Sequence, residues 1–301
     1  MPHLRACPIC DTPSEVAKLF MEESIDQAKL SGFSYASRKE PEFMCHRLVQ
    51  CPACDLVYVN EPPKQDELAA AYHVAEYDSS EEADDAASAY IRAVEPVLAR
   101  LPQKQRALEI GTGTGIFLEK LASAGFSELV GVEPSSAAIA AAPERRRAWI
   151  REGIFREEDF EPGSFDLICC FMTMEHVADP GSIARSAFRL LRKGGVFVTV
   201  THDYRSLVNR VLGRRSPIID IEHMQLFSAR SIRELFVRNG YSQVEVEVFS
   251  NTYPLQYWMR LAPLPRVAKR MTVSMLAALR MNRLHFTFNV GNTCAYGFRK
   301  D

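Results

Sequence analysis

From Arg106 onward the chain alternates short apolar runs with segments whose apolar residues recur at three- and four-residue spacing. The runs at 107–110, 129–133, 148–150, 165–171 and 196–201 predict strands, and the stretches at 115–124, 135–142 and 181–191 predict helices. Such alternation calls for parallel strands joined by right-handed crossovers, an open α/β sheet that binds ligands at the carboxyl ends of its strands. A helix over 228–239, stopped by Gly240, and strands over 243–249 and 294–299 complete the pattern.

The flanking segments read differently. Residues 61–105 form a helical connector: Leu68, Tyr72 and Ala75 share a face, six acids and no base lie between Glu76 and Asp85, and Ala89, Ile91, Val94, Val97, Leu98 and Leu101 run at helical spacing to a stop at Pro102. Tyr72 and Tyr77 at this spacing are read as core, with a lid over a ligand as the alternative. Residues 254–283 interrupt the last two strands with six bases, no acid and many large apolar residues. Pro254, Pro263 and Pro265 break any long amphipathic helix there, so the insertion is read as a helical cover over a substrate cleft in preference to an element lying on an anionic membrane.

Composition narrows the classes. Thirty-six Lys and Arg against 38 Asp and Glu give a net charge of −2 over 301 residues, which argues against nucleic acid as the main partner. No apolar run approaches the ~20 residues of a membrane span, and residues 1–7 do not read as a secretory signal. Eight cysteines are too sparse for a disulfide scaffold, so a reducing cytoplasm is expected.

Five of those cysteines precede residue 55. Cys7-Pro8-Ile9-Cys10 and Cys51-Pro52-Ala53-Cys54 offer four thiolates from two tight turns, the donor set of a closed and therefore structural Zn²⁺ site within a unit spanning 1–60. Cys45 or His46 could replace one ligand. A catalytic dithiol is disfavoured because neither pair opens a helix within a βαβ unit. Cys169, Cys170 and Cys294 fall in predicted strands and read as core.

The strand at 107–110 runs into Glu109-Ile110-Gly111-Thr112-Gly113-Thr114-Gly115. Glycines here allow a tight turn and close approach of a ligand. Glu109 suits a cation such as a sulfonium or an amino group and repels a pyrophosphate, whereas Glu133 can accept the hydroxyls of a ribose in either class of nucleotide. A nicotinamide-dependent oxidoreductase is the alternative.

Together with Gly131 to Ser135, Ser164 to Ile168, Met174 to Pro180 and Leu190 to Phe197, this turn resembles those of class I S-adenosylmethionine-dependent methyltransferases, over residues 106–249 and 293–300. The resemblance implies a Rossmann-like seven-stranded sheet in the domain 106–301. It also implies cofactor contacts from Glu109, Gly111, Thr112, Gly113, Gly115, Glu133 and Pro134, adenine flanked near Ile154 and Phe155, and the transferred methyl bordered by Met172 and Thr173. With its amino-terminal cysteine unit, the chain further resembles bacterial sugar methyltransferases. Glu222-His223-Met224-Gln225-Leu226-Phe227-Ser228 matches their Glu-His-x-x-x-Phe-Ser stretch, which nominates His223 as a base. A tyrosine three positions earlier in that family is Asp220 here, so oxygen of a sugar, glycan precursor or other small metabolite is expected at least as much as carbon.

A histidine with a pKa near neutrality suits removal of a hydroxyl proton. His223 is either that base or a packing residue at a helix start. His176, after the fourth strand, is the competing candidate and reads as a residue that orders the loop. An RNA methyltransferase that grips its substrate through the zinc unit, and a silent binding module, are the remaining alternatives.

Overall fold

Around the two cysteine turns the backbone forms three short strands, β1 (Lys18–Met21), β2 (Leu48–Gln50) and β3 (Val57–Val59), followed by helices α1 (Gln65–Val74) and α2 (Ser80–Leu98). These belong to a computed structural model that describes residues 4–31, 34–36, 42–77, 80–262, 264 and 266–300. Pro263 and Pro265, expected to break the insertion, lie outside the described residues.

The alternating region follows as β4 (Arg106–Ile110), α3 (Ile116–Ser123), β5 (Glu128–Glu133), α4 (Ser136–Ala141), α5 (Glu144–Arg147), β6 (Ile150–Glu152), β7 (Phe165–Phe171), α6 (Pro180–Leu190) and β8 (Leu191–His202). Beyond these come α7 (Leu207–Leu212), β9 (Gln225–Leu226), α8 (Ala229–Arg238), β10 (Ser242–Pro254), α9 (Leu255–Leu261), α10 (Arg266–Ala278) and β11 (His285–Phe298).

Seven strands make one sheet in the order β10-β11-β8-β7-β4-β5-β6. The pairs β4–β5, β5–β6, β4–β7 and β7–β8 are parallel, and β11 runs antiparallel to both β8 and β10. The order reverses on either side of β4, so the crevice for a ligand opens beyond its carboxyl end. β7 explains why the apolar runs are continuous: Ile168 and Cys170 face one core cluster, while Leu167, Cys169 and Phe171 face another, so both sheet faces are buried. Burial raises the Cys169 and Cys170 thiols well above their ordinary range, as inert core cysteines require.

Three boundaries differ from the sequence pattern. The strand expected at 148–150 begins at Ile150, because Glu144–Arg147 is helical and Ala148 caps it. The strands expected at 243–249 and 294–299 extend into a long hairpin, whose register shifts between Phe249 and Asn251. That irregularity lets the ribbon continue past the sheet and carry α9 and α10 at its tip.

The cysteine unit is packed against the large sheet. Antiparallel β1-β2-β3 gains β9 as a fourth strand, with Val57 opposite Leu226 and Tyr58 opposite Gln225. Cys7, Cys51, Leu56 and Tyr58 share a core cluster with Phe165, Leu190, Phe197 and Phe236.

Candidate active site

The turn after β4 is built on glycine for two separate reasons. Gly111 has φ +76°, and a Cβ there would lie 2.2 Å from Thr173 Oγ1. Gly113 has φ +55° with no atom within 4 Å of its missing Cβ, so bare backbone faces open space. The Gly111 and Thr112 amides donate to the Val132 carbonyl at 2.9 and 3.1 Å, tying the turn to the end of β5. Gly115, the residue before α3, instead packs against Ile150 and Arg146.

Two carboxylates stand at this turn. Glu133, at the end of β5, accepts hydrogen bonds from the Gly113 amide at 2.7 Å and the Ser135 amide at 2.9 Å. Burial nevertheless leaves its carboxyl above the usual range. Glu109 is 4% exposed. Burial pushes it up to about 8, against the lowering effect of the Thr112 hydroxyl that donates to it and with a further rise from Glu133. An apposed cation would reverse that cost.

A cavity of about 600 Å³ extends from this turn. It is lined by Glu109, Gly111, Thr112, Gly113, Glu133 and Pro134, by Ile154 and Phe155 after β6, and by Met172 and Thr173 after β7. Gly115 is the one expected cofactor residue that does not line it: a Cβ there would meet Ile150 at 3.3 Å. Met172 takes φ +49°, an uncommon backbone state for a side-chain-bearing residue, where the chain leaves β7.

The opposite wall carries the histidines. Two segments, 174–177 and 222–225, are joined by the Met224 amide donating to Glu175 O at 2.8 Å and by the Gln225 amide side chain donating to Met174 O and Val177 O at 2.6 and 2.7 Å. His176 and His223 are thereby brought to a ring separation of 4.8 Å. His223 Nδ1 donates to the Ile218 carbonyl at 2.7 Å, which leaves Nε2 with its lone pair. Burial first, and His176 second, lower the His223 pKa and favour the neutral ring. The packing reading of His223 thus meets a residue that is buried yet lines the cavity.

Behind them Glu175 is fully buried and accepts the His202 amide at 2.8 Å. Burial pushes its carboxyl up, but His202, His223 and His176 outweigh that and hold it below the usual range.

Tyr72 packs against a core cluster with Leu68, as read from its spacing, and also meets the cavity. Its hydroxyl lies 3.2 Å from His176 Nδ1 and 3.3 Å from the Glu222 carbonyl, and both Tyr72 and Tyr77 line the cavity. Helical spacing marks a buried face without telling whether it meets core or cleft. Tyr257 and Trp258 line it from the insertion read as a cover over the cleft, and His202, Tyr253, Asn251 and Asn292, unmarked by the sequence, line it as well. The two asparagines are 2% and 3% exposed, and among the described residues neither Oδ1 has a hydrogen-bond partner. Asn292 sits opposite His202 across β11 and β8. The only available signal was Gly291, with φ +86°, interrupting an otherwise strand-like run.

Away from the cavity, the sulfurs of Cys7, Cys10, Cys51 and Cys54 lie within 4.8 Å of one another. Cys7 and Cys54 are 3.4 Å apart, and Cys10 and Cys51 3.5 Å. Tetrahedral Zn²⁺ with Zn–S bonds of about 2.3 Å needs sulfurs roughly 3.8 Å apart, so the donor set fits it. The two turns repeat each other: Cys7 O accepts from the Asp11 amide and Cys51 O from the Asp55 amide, and both aspartates take positive φ. The Cys7 thiol is pushed down to about 5, chiefly by its hydrogen bond with Cys54. Cys45 lies outside this cluster, 3.6 Å from Ser24 Oγ.

The sheet order, the glycine turn and the carboxylate at the end of β5 together define a Rossmann-like methyltransferase fold. A family model described as "Methyltransferase domain" matches residues 82–246, more than half of the chain, and the chain belongs to that family. Among curated proteins it is similar to the "Ubiquinone biosynthesis O-methyltransferase" of Methylococcus capsulatus, 30% identical over 117 residues, and to that of Pseudomonas aeruginosa, 32% identical over 120 residues. Each match covers 36% of this chain, and the chain spans about half the length of these relatives (49% and 50%). Among solved structures, a candidate methyltransferase from Bacillus halodurans shares the fold with a TM-score of 0.50 at 14% identity, over 70% of this chain and 99% of that one.

The cavity fits S-adenosylmethionine on its own terms. Bare backbone at Gly113 leaves room for close approach, and the buried carboxyls of Glu109 and Glu133 suit a ligand that brings positive charge and hydroxyl donors.

Proposed function

We propose that this protein transfers the methyl group of S-adenosylmethionine to a hydroxyl oxygen of a small acceptor, with a sugar or glycan precursor as the expected class. The observation that carries this reading is the single cavity that joins the glycine turn and its carboxylates to the unprotonated Nε2 of His223. The names of the curated relatives support oxygen as the site of methylation.

When bound, S-adenosylmethionine supplies a sulfonium methyl open to in-line attack. The chain's own residues then have distinct tasks. Glu109 neutralises the donor's positive end, Glu133 offers its remaining lone pairs to the ribose, and Ile154 and Phe155 flank the adenine. Met172 and Thr173 border the reacting carbon. His223 Nε2 accepts the acceptor's hydroxyl proton, while the Ile218 carbonyl keeps the ring in the tautomer that can do so. His176, held by Tyr72, orients the neighbouring ring. Asn251 and Asn292 offer buried carbonyl oxygens to acceptor hydroxyls. The four cysteines hold a structural Zn²⁺ that takes no part in the chemistry.

The test is incubation with methyl-labelled donor, a panel of nucleotide sugars and small phenols, and cell extract, followed by identification of the labelled product. A methyl ether is expected. Label on carbon alone, or on RNA alone, would replace this reading.

A further inference from the structure

The β10–β11 ribbon carries a cap with two unlike sides. Its inner side closes the cavity: Tyr257, Trp258 and Leu261 of α9 line it, and Leu276 of α10 is buried. Contacts with α2 fix the cap in position, Arg260 reaching Glu82 at 3.4 Å and His285 reaching Asp85 at 3.4 Å.

Among the described residues nothing covers the outer side. Val267, Met271, Met275 and Leu279 are 70%, 69%, 55% and 60% exposed. Spaced four residues apart, they form one stripe along α10 and into the turn beyond it. On the ribbon, Phe286 and Phe288, 38% and 47% exposed, stack on each other, and Phe288 meets the Trp258 ring edge-on. Solvent-facing apolar residues scattered singly are ordinary, but a continuous stripe of them marks a contact surface.

Charge decides what the contact is. Arg270, Arg280 and Arg283 are exposed on the same cap, and among the described residues none pairs with a carboxylate. From Val248 through Lys300 the sequence contains neither Asp nor Glu. A second copy docking face to face would set arginine against arginine with no acid to relieve them. A nucleic acid would answer the charge and leave the apolar stripe in water. A sheet of anionic lipid headgroups over acyl chains answers both. No helix among the described residues is long and apolar enough to cross a membrane, so the contact is one that lies on the surface.

We propose that the exposed face of α10 docks this protein on an anionic lipid surface. Two helices separated near 262–265 do not prevent this, because α10 alone carries the stripe. The inference goes beyond the proposed methyl transfer and does not depend on it. Docking would bring the α9 side of the cavity next to the lipid, where an amphiphilic acceptor could enter.

The test is co-sedimentation of the metal-loaded full chain with vesicles of phosphatidylcholine alone or mixed with phosphatidylglycerol. Binding is expected to the mixed vesicles only, and it should fall as salt rises. The double substitution Met271→Glu with Met275→Glu should weaken it about tenfold or more while S-adenosylhomocysteine affinity and melting temperature stay unchanged. Replacing Arg270, Arg280 and Arg283 by Gln should weaken it by a similar factor. The proposal is overturned if the mixed vesicles leave the protein in the supernatant, or if the Met271, Met275 variant sediments like the parent. It is also overturned if the parent is a dimer that this variant converts to monomer without any vesicle binding.

Discussion

The hydroxyl of Tyr72 stands 3.2 Å from Nδ1 of His176, although 104 residues separate them in the chain. Through this contact the connector helix α1 reaches the pair of histidine rings 4.8 Å apart on the cavity wall. If Tyr72 holds His176 and His176 holds His223, the effects of substitution should grade along that line. His223→Ala should lower kcat by about 10²–10⁴-fold, the usual worth of a general base. Tyr72→Phe should cost on the order of tenfold through lost orientation. Affinity for S-adenosylhomocysteine should not change in either, as calorimetry would measure. Full turnover in His223→Ala would remove the base from the mechanism.

Glu109 makes donor binding depend on pH. Burial pushes its carboxyl up to about 8, and a cation must meet it ionised. Affinity for S-adenosylhomocysteine, which keeps the cationic amino end, should rise as pH increases from about 6 to 8, approaching tenfold per unit, and then level off. The bound state should release about one proton, read from calorimetry in buffers of different ionisation heat. The empty protein should behave oppositely. A folded-state value above the ordinary 4.5 means stability is fully present below that pH and declines as pH rises through about 8.

Asn251 and Asn292 set stability against function. An unpartnered buried carbonyl costs about 1–3 kcal/mol relative to an apolar group of the same shape. Asn292→Leu should therefore keep or raise the melting temperature of the empty protein while abolishing acceptor turnover. A stable variant with normal KM and kcat would show that these oxygens serve no acceptor.

Gly111→Ala meets two obstacles at once. A φ of +76° strains any side chain, and the new Cβ would fall 2.2 Å from Thr173 Oγ1. Together these should cost about 1–3 kcal/mol in thermal or urea unfolding. Thr173→Gly in the same chain should recover the steric part alone. Gly113→Ala, with open space around it, should cost less in stability and more in donor affinity.

Most of the sheet was readable because β4, β5, β7 and β8 are buried on both faces, which leaves uninterrupted apolar runs such as Phe165–Phe171. The glycine turn and the cysteine pairs were equally legible, since their geometry is local. What stayed hidden was set by tertiary contact. β9 is two residues long and becomes a strand only because Val57 and Tyr58 lie beside it. Tyr72 has the same helical spacing whether it faces core or cleft. Asn251 and Asn292 look like ordinary strand residues until the bulged ribbon brings both to the cavity. The insertion was legible as a cover, but which of its residues, Trp258 among them, meets the cavity is set by tertiary packing.

Asp55 follows the last cysteine of the second turn, yet its side chain serves the other half of the molecule. It pairs with Arg205 and accepts from Ser228 Oγ at 2.8 Å, while its carbonyl accepts from the Tyr204 hydroxyl at 2.9 Å. Arg205 lies just past β8 and Ser228 caps α8, so one aspartate spans the junction. A protein stripped of metal would then lose more than an ornament at the chain's beginning: the grip of Asp55 on Arg205 and Ser228, in the segments on either side of His223, should slacken and turnover should fall with it.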